Sequence, residues 1–374
     1  MRVLHIITSG QRRGGDVFAA DLASALEGDG IEQRIAALRA PVGASVSFRA
    51  PVDVVGSDRR SVPGLNIDPG AVGSLRDLIG SWRPEIVQAH GGETYKYALA
   101  ANPRRRPPVV YRRIGGAPKW IMHGPRRFVH AQLMRRADRI VAVAETVRRE
   151  TIAVFGVDPS RISTIPNGVS GSRIISTRGR DATRRELGIR DDAVVTLSMG
   201  ALSWEKDPLV QLEAAARVLL NFSESVHVFV GDGPMRGQLE GEIRQQGLWG
   251  RCRVLGERSD VGDLFAASDV FLFASRPDGM EGMPATVIEA GMAGVPVAGY
   301  SVAGVSEVVE HGLTGLLAPR RDVNALTRHL MELVGDKDRR RAMGEAARAH
   351  CRRFHIEAIA PRYLTLYSDV LASS

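Results

Sequence analysis

Two doubly wound α/β domains in tandem are predicted by three observations. Short apolar runs alternate with helical stretches in two successive series. A polar, Arg-rich stretch without periodicity, 170–183, lies between the series. The 374 residues exceed what a single core comfortably serves. The expected organisation is a first domain over 1–169, a linker over 170–183, a second domain over 184–354, and a C-terminal helix over 355–374.

In the first series, Val3–Thr8 reads as a buried strand followed by the Gly-rich turn Gly10-Gln11-Arg12-Arg13-Gly14-Gly15. Phe18, Leu22, Ala25 and Leu26 share one face of a helix over Asp16–Glu27. Strands follow at Ile35–Leu38, Val52–Val55, Ile86–His90, Val109–Arg112, Ile140–Val143 and Ser163–Ile165, with helices at Leu75–Trp82, Phe128–Arg136 and Glu145–Phe155. Pro166-Asn167-Gly168 is a strong turn signal. The second series places strands at Val194–Met199, Val226–Val230, Arg253–Leu255, Val270–Ala274, Val295–Tyr300 and Gly315–Leu317. Its helices are Pro208–Leu220, the stretch from Gly231-Asp232-Gly233-Pro234 through Gln246, Val261–Ala267 and Pro284–Ala293. The tail from Val323 to Leu371 is helical, with Tyr363, Leu366, Tyr367 and Val370 as an apolar stripe. Two such Rossmann-like units, facing one another, are expected to form a cleft with ligands at the carboxyl ends of the strands.

Composition narrows the function classes. Apolar residues at 44% and charged residues at 25% are those of a globular chain. No run approaches the ~20 apolar residues of a membrane span, and the opening strand is too short for a secretory leader. Cys252 and Cys351 alone make neither a disulfide framework nor a zinc ribbon, which fits a reducing cytoplasm. Net charge is +8, and the excess is uneven: residues 101–150 hold 13 basic residues against Asp138, Glu145 and Glu150. Such a first half suits an anionic acceptor or an anionic membrane surface at the inner face of the cell membrane. Nucleic acid is disfavoured, because the basic stretch lacks regularly interleaved aromatics.

The richest motif runs from Asp278 to Gly291. Pro284 suits a first helical position, so the helix start would offer its amides and dipole to an anion such as a diphosphate. Glu281 precedes that helix and Glu289 lies within it; carboxylates accept several sugar hydroxyl hydrogen bonds each. The block Glu281–Gly294, with Gly304-Val305-Ser306-Glu307 and His311-Gly312-Leu313-Thr314-Gly315, closely resembles the retaining family-4 glycosyltransferases. Gly14-Gly15, Ile165-Pro166-Asn167-Gly168-Val169, Glu205-Lys206 and Gly231-Asp232-Gly233-Pro234 extend the resemblance over nearly the whole chain.

The resemblance implies the GT-B architecture, with the C-terminal helix over 355–374 crossing back to the first domain, and a nucleoside-diphosphate sugar, UDP- or GDP-linked, held mainly by the second domain. It implies retention of anomeric configuration without a metal or other cofactor, by front-face substitution. Glu289 would bind the donor ribose. Glu281, with the backbone of Gly282 and Met283 and the turn at Pro284, would contact the sugar and phosphates. Gly256, Glu257 and Arg258 would hold the base, largely through backbone, and Lys206 would meet the departing diphosphate. Gly14 and Gly15 would let backbone approach the diphosphate, and His90, at a strand end, would touch the donor sugar or reacting centre.

One position departs from the family pattern. The arginine that normally accompanies the lysine is replaced by Ala201, a loss of about 2–4 kcal/mol if that cation acts as one electrostatic donor. Arg276 and Arg12 are candidate substitutes. The resemblance leaves three readings: transfer to a cell-envelope polysaccharide, glycolipid or other glycoconjugate, transfer to a small natural product, or a catalytically weak homologue that binds nucleotide sugar. The basic groups Arg104-Arg105-Arg106, Arg112-Arg113, Lys119-Trp120-Ile121-Met122, Arg126-Arg127 and Arg135-Arg136 are expected to form one face. His123 and His130 read as surface residues.

Overall fold

Seven parallel strands form the first sheet of the computed structural model, which describes residues 1–373 apart from 29, 44, 57–66, 105 and 277. The strands are β1 (Arg2–Ile7), β2 (Glu32–Ala37), β3 (Val52–Val54), β4 (Ile86–His90), β5 (Val109–Arg113), β6 (Arg139–Ala142) and β7 (Ile162–Thr164). Their order is β3-β2-β1-β4-β5-β6-β7. The crossovers are α1 (Gly14–Ala25), α2 (Pro69–Trp82), α3 (Gly92–Ala101), α4 (Gly124–Met134) and α5 (Glu145–Phe155). Central strands are buried on both faces, which is why they read without apolar–polar alternation. Helix α3 escapes periodicity analysis for a related reason: Thr94, Tyr95, Tyr97, Ala98, Leu99 and Ala101 are all buried, so no single face stands out.

The second sheet has the order β10-β9-β8-β11-β12-β13, again all parallel. Helix α6 (Arg180–Glu186) leads into β8 (Val194–Met199), α7 (Pro208–Asn221), β9 (Ser225–Val230), α8 (Arg236–Gln245), β10 (Cys252–Val254) and α9 (Val261–Ala267). Then come β11 (Val270–Phe273), α10 (Ala285–Ala293), β12 (Val297–Tyr300), α11 (Val305–Val308), β13 (Gly315–Ala318), α12 (Val323–Gly335) and α13 (Lys337–Cys351). The last helix, α14 (Ile356–Ala372), belongs to the first unit. It buries Ile356, Ile359, Tyr363, Tyr367 and Val370 in one cluster with Val3, Phe18, Leu22 and Val110. At about 1.5–3 kcal/mol for each large apolar side chain removed from water, this helix is a major share of that core.

The chain therefore divides into two compact units, Met1–Gly168 with Ile356–Ser374, and Val169–His355. The predicted class of two doubly wound parallel sheets holds. The expected linker does not: residues 170–183 fold into the second unit as a short turn at Gly171–Ile174 and the start of α6. Their polarity reflects ionic packing. Asp263, 3% exposed, accepts from Ser176 Oγ at 2.6 Å, from the Thr177 and Arg178 amides at 2.8 Å each, and from Arg178 Nε at 3.0 Å. These hydrogen bonds hold its carboxyl far below the usual carboxylate range. Arg180 and the fully buried Arg184 both pair with Asp269, at 2.6 and 2.8 Å. A stretch whose main carboxylate partners, Asp263 and Asp269, stand more than 80 residues away carries no periodic signal.

Candidate functional site

Strand order reverses between β8 and β11 in the second unit and between β1 and β4 in the first. The carboxyl ends of strands at such a reversal are where doubly wound sheets place ligands. In the second unit, β8 leads through Gly200 to a single helical turn at Trp204–Lys206, and β11 leads through Ser275 to Glu281. The two loops are stitched together. The Arg276 amide donates to Glu205 O at 2.9 Å, and a Cβ at Gly279 would come within 2.9 Å of that same oxygen. This brings Lys206 Nζ to 2.5 Å from Glu281 Oε2, which also accepts from Ser275 Oγ at 2.9 Å. The Lys206 ammonium lies 5.6 Å from the centre of the Phe273 ring. Beside the pair is a recess lined by Gly200, Ala201, Lys206, Gln211 and Phe273. Sequence reasoning found Lys206 and Glu281 but not Ser275, whose only signal is its place two residues beyond a buried strand.

The glycines around this recess are required by close approach. A side chain at Gly231 (φ +131°), at the end of β9, would overlap the Gly200 carbonyl. At Gly304 (φ +74°) it would overlap the Gly282 carbonyl, so the 302–305 turn packs directly on the backbone of the Glu281–Met283 segment. Within that segment Met280 takes φ +59°, a left-handed conformation that is uncommon for a side-chain-bearing residue. Gly282, Met283 and Pro284 are buried.

Pro284 is the residue before the first turn of α10 rather than its first helical position, with extended backbone angles (φ −72°, ψ 121°). Its carbonyl accepts from Val287 N at 3.2 Å, and no side chain caps the helix start. Glu289, 1% exposed, is ion-paired with Arg173 of the Gly171–Ile174 turn. Its assignment to a ribose therefore requires Arg173 to share or release the carboxylate. Gly256 accepts from the Gly231 amide at 2.8 Å, Glu257 is exposed, and Arg258 is held by Asp260 at 2.6 Å and Glu186 at 2.9 Å. Arg276 is no spare cation: its guanidinium lies 3.6 Å from Asp207 and 3.7 Å from Asp278, over the Trp204 ring at 4.6 Å.

In the first unit, α1 starts with Gly14 and Gly15, again without a side-chain cap. Gly14 faces open space, and a Cβ at Gly15 would meet His90 O at 4.0 Å and Ile114 Cδ1 at 3.8 Å. The structure thus brings the glycine turn and His90 together at the reversal point. Buried Asp16 shapes the turn by accepting from the Thr8, Ser9 and Gly10 amides at 3.1, 3.1 and 2.9 Å. Exposed Arg12 lies in the same turn.

His90 is 2% exposed, with Nε2 3.1 Å from His5 Nδ1. Burial, then the neighbouring His5 and Arg112, push it well below the ordinary imidazole range, and burial takes His5 to about 4. Arg112, 1% exposed, lies over the Phe18 ring at 3.7 Å and donates to Asn167. Its desolvation lowers its own pKa.

The expected basic face is smaller than the arginine count. Arg112 and Arg113 are buried, Arg113 beside Glu150 at 3.5 Å, because they lie within a central strand. Ile121 is buried as well. Arg105 lies outside the described residues. What remains on and around α4 is exposed Lys119, Arg126, Arg127, Arg135 and Arg136 with exposed Trp120, Phe128 and Val129. His123 is exposed, whereas His130 is half-buried against Trp120 and Phe155. Among the described residues, no three or more His, Cys, Asp or Glu side chains are grouped to hold a metal ion, and no helix is long and apolar enough to cross a membrane.

Two doubly wound parallel sheets, each with its polar residues gathered at the strand reversal, define the GT-B class of transferase. The chain belongs to the group 1 glycosyltransferases: the pattern described as "Glycosyl transferases group 1" matches residues 179–350, and "Glycosyltransferase Family 4" matches 12–173. It is 28% identical over 273 residues to an Escherichia coli UDP-Gal:alpha-D-GlcNAc-diphosphoundecaprenol alpha-1,3-galactosyltransferase, covering 71% of this chain and 70% of the relative. It is 30% identical over 251 residues to a D-inositol 3-phosphate glycosyltransferase of Thermobispora bispora, covering 64% of this chain but only 58% of that relative. Among solved structures, Anabaena Alr3699/HepE in complex with UDP and glucose shares the fold with a TM-score of 0.83, at 21% identity, over 99% of this chain and 100% of the other.

Proposed function

We propose that the protein is a retaining, metal-independent glycosyltransferase that moves a sugar from a nucleoside diphosphate, UDP-linked in the first instance, to an anionic acceptor of the cell envelope. The observation that carries this reading is the Lys206–Glu281–Ser275 arrangement at the β8/β11 reversal. A lysine held by one partly buried carboxylate is positioned in advance. When a diphosphate arrives, the ammonium exchanges toward it and offsets charge on the leaving group, the role a metal ion fills elsewhere. Glu281 is then released to accept sugar hydroxyls, while the uncapped start of α10 supplies amides to the phosphates. The UDP donor is supported by the E. coli relative's name and the UDP seen in the Anabaena structure.

The acceptors in the two relatives' names are both phosphorylated, one on a lipid and one on a small polyol. The excess of basic residues in 101–150 suits either. The lipid-linked acceptor is the first reading, because Trp120, Phe128 and Val129 are exposed among five cations with no acid between Ile114 and Ala137. Such a surface seats peripherally on an anionic bilayer from the cytoplasmic side. At low salt the protein should sediment with anionic vesicles and not with neutral ones, and Trp120→Ala with Phe128→Ala should abolish the pelleting. Equal recovery in the supernatant for both vesicle types removes the membrane contact. The small-molecule acceptor is the second reading, favoured by the inositol-phosphate relative.

The test of the reaction is transfer from a UDP-sugar panel to lipid-diphosphate and inositol-phosphate acceptors, with product anomers read by NMR. Retained configuration without added metal is expected; inverted product rejects the mechanism. Binding donors should raise Tm in proportion to occupancy. Ala201 lines the recess, so Ala201→Arg should restore a second phosphate cation and raise kcat/KM about tenfold or more. A rate that falls instead would show that the recess uses the space at 201 for something other than phosphate. Complete inactivity of the wild type with every donor that it binds would favour the catalytically weak reading.

A further inference from the structure

Two side chains hydrogen-bond in series behind His90, and their chemistry permits only one arrangement of protons. Gln33 Nε2 donates to Ala23 O at 2.7 Å, which fixes the orientation of the amide. Gln33 Oε1 therefore faces His5 Nε2, at 3.1 Å, and a carbonyl oxygen can only accept. His5 must carry its proton on Nε2. A neutral His5 then has a bare Nδ1, and that atom lies 3.1 Å from His90 Nε2. His90 must carry its own proton on Nε2, and its Nδ1 is left bare. That nitrogen has no hydrogen-bond partner among the described residues, although it is buried.

The alternative needs a charged ring. A doubly protonated His5 would donate at both ends and invert the His90 tautomer. His5 is fully buried, and Arg112, the register partner of His90, already places a cation in the same layer. A second buried charge there has no carboxylate to balance it among the described residues. Burial of both rings pushes them toward the neutral form, in agreement with this count.

We propose that Gln33 and His5 are positioning residues that set His90 as its Nε2–H tautomer, so that Nδ1 is an obligate hydrogen-bond acceptor selecting a sugar hydroxyl. The inference rests on the reading of His90 as a sugar contact, but its first half concerns the free protein. Nδ1 of His90 cannot act as an acid or donor; it accepts from a hydroxyl, and a ligand offering an acceptor atom at that place leaves two lone pairs facing each other.

Histidine-labelled protein in long-range proton–nitrogen NMR tests the first half, with His90→Gln used to assign the signals. The wild type near neutral pH should show His90 with a protonated Nε2 and an unprotonated Nδ1. Gln33→Glu places beside His5 the buried carboxylate that a charged ring lacks, so it should protonate His5 at both nitrogens and invert the His90 tautomer, whereas Gln33→Leu removes the acceptor and should give a mixture of tautomers. A protonated Nδ1 in the wild type, or an unchanged pattern in Gln33→Leu, overturns the proposal. Transfer assays test the second half: Gln33→Leu should lose up to about tenfold in kcat/KM, and Gln33→Glu, with His90 Nδ1 protonated, should lose at least as much. A shifted tautomer with an undiminished rate overturns the selection of a sugar hydroxyl by His90 while the proton arrangement stands.

Discussion

Glu281→Ala should lower transfer by about 10²–10³-fold while leaving the second unit folded, if Glu281 both orients Lys206 and receives sugar hydroxyls. The carboxylate is the only acid within ion-pair reach of Lys206 among the described residues, and it is partly exposed, so its removal leaves no deeply buried charge unpaired. Lys206→Ala should cost a similar factor, because the leaving diphosphate then loses its one cation from this recess. Lys206→Arg should recover part of the rate, since the charge is kept while its position shifts. The two alanine changes should be strongly non-additive, since each removes the partner through which the other acts. Steady-state kinetics on the four proteins of this cycle, with circular dichroism as a folding check, decides it. Additive losses, or a Glu281→Ala enzyme at near wild-type rate, would place the donor elsewhere.

Asp263→Ala should destabilise the second unit by about 3–5 kcal/mol without touching the recess. Its carboxylate accepts from two amides, two hydroxyls and a guanidinium, and is itself 3% exposed. Removing it strands those donors and leaves Arg178 with only Asp260 and Glu186 as partners. For a unit of this size the drop corresponds to a Tm lower by on the order of 10 °C, measurable by calorimetry. A shift of one or two degrees would mean that 170–183 is the loose tether its composition suggests.

Acid should weaken both units by the same logic. A carboxyl depressed in the folded state stabilises above its unfolded pKa of about 3.9, and that contribution fades only below this value. His5 is also depressed, to about 4. Its neutral burial costs nothing above an unfolded pKa of about 6.5 and weakens the first unit progressively as pH falls from there toward 4. His227 in the second unit is likewise pushed down by burial, to about 3, so both units should lose stability as pH falls below about 6.5, before the Asp263 contribution fades.

The sequence by itself determined the repeating α/β alternation and the strand ends, and it singled out Lys206, Glu281, Glu289 and His90 as candidates, because these signals are local. A strand buried on both faces is a short, mostly apolar run without alternation, and a helix start after a glycine turn is read within a few positions. Periodicity failed where burial was uniform, as in α3, and where packing was ionic, as in 170–183. Only the tertiary structure decided which polar groups meet. Ser275 joins Glu281, Arg173 takes Glu289, Arg112 and Arg113 turn inward from an expected basic surface, and Gln33 dictates the proton on His90 across three strands and a helix. Hydrogen bonds and ion pairs act over a few ångströms in space, while most of these partners stand tens of residues or more apart in the chain. No spacing rule in the sequence records such distances.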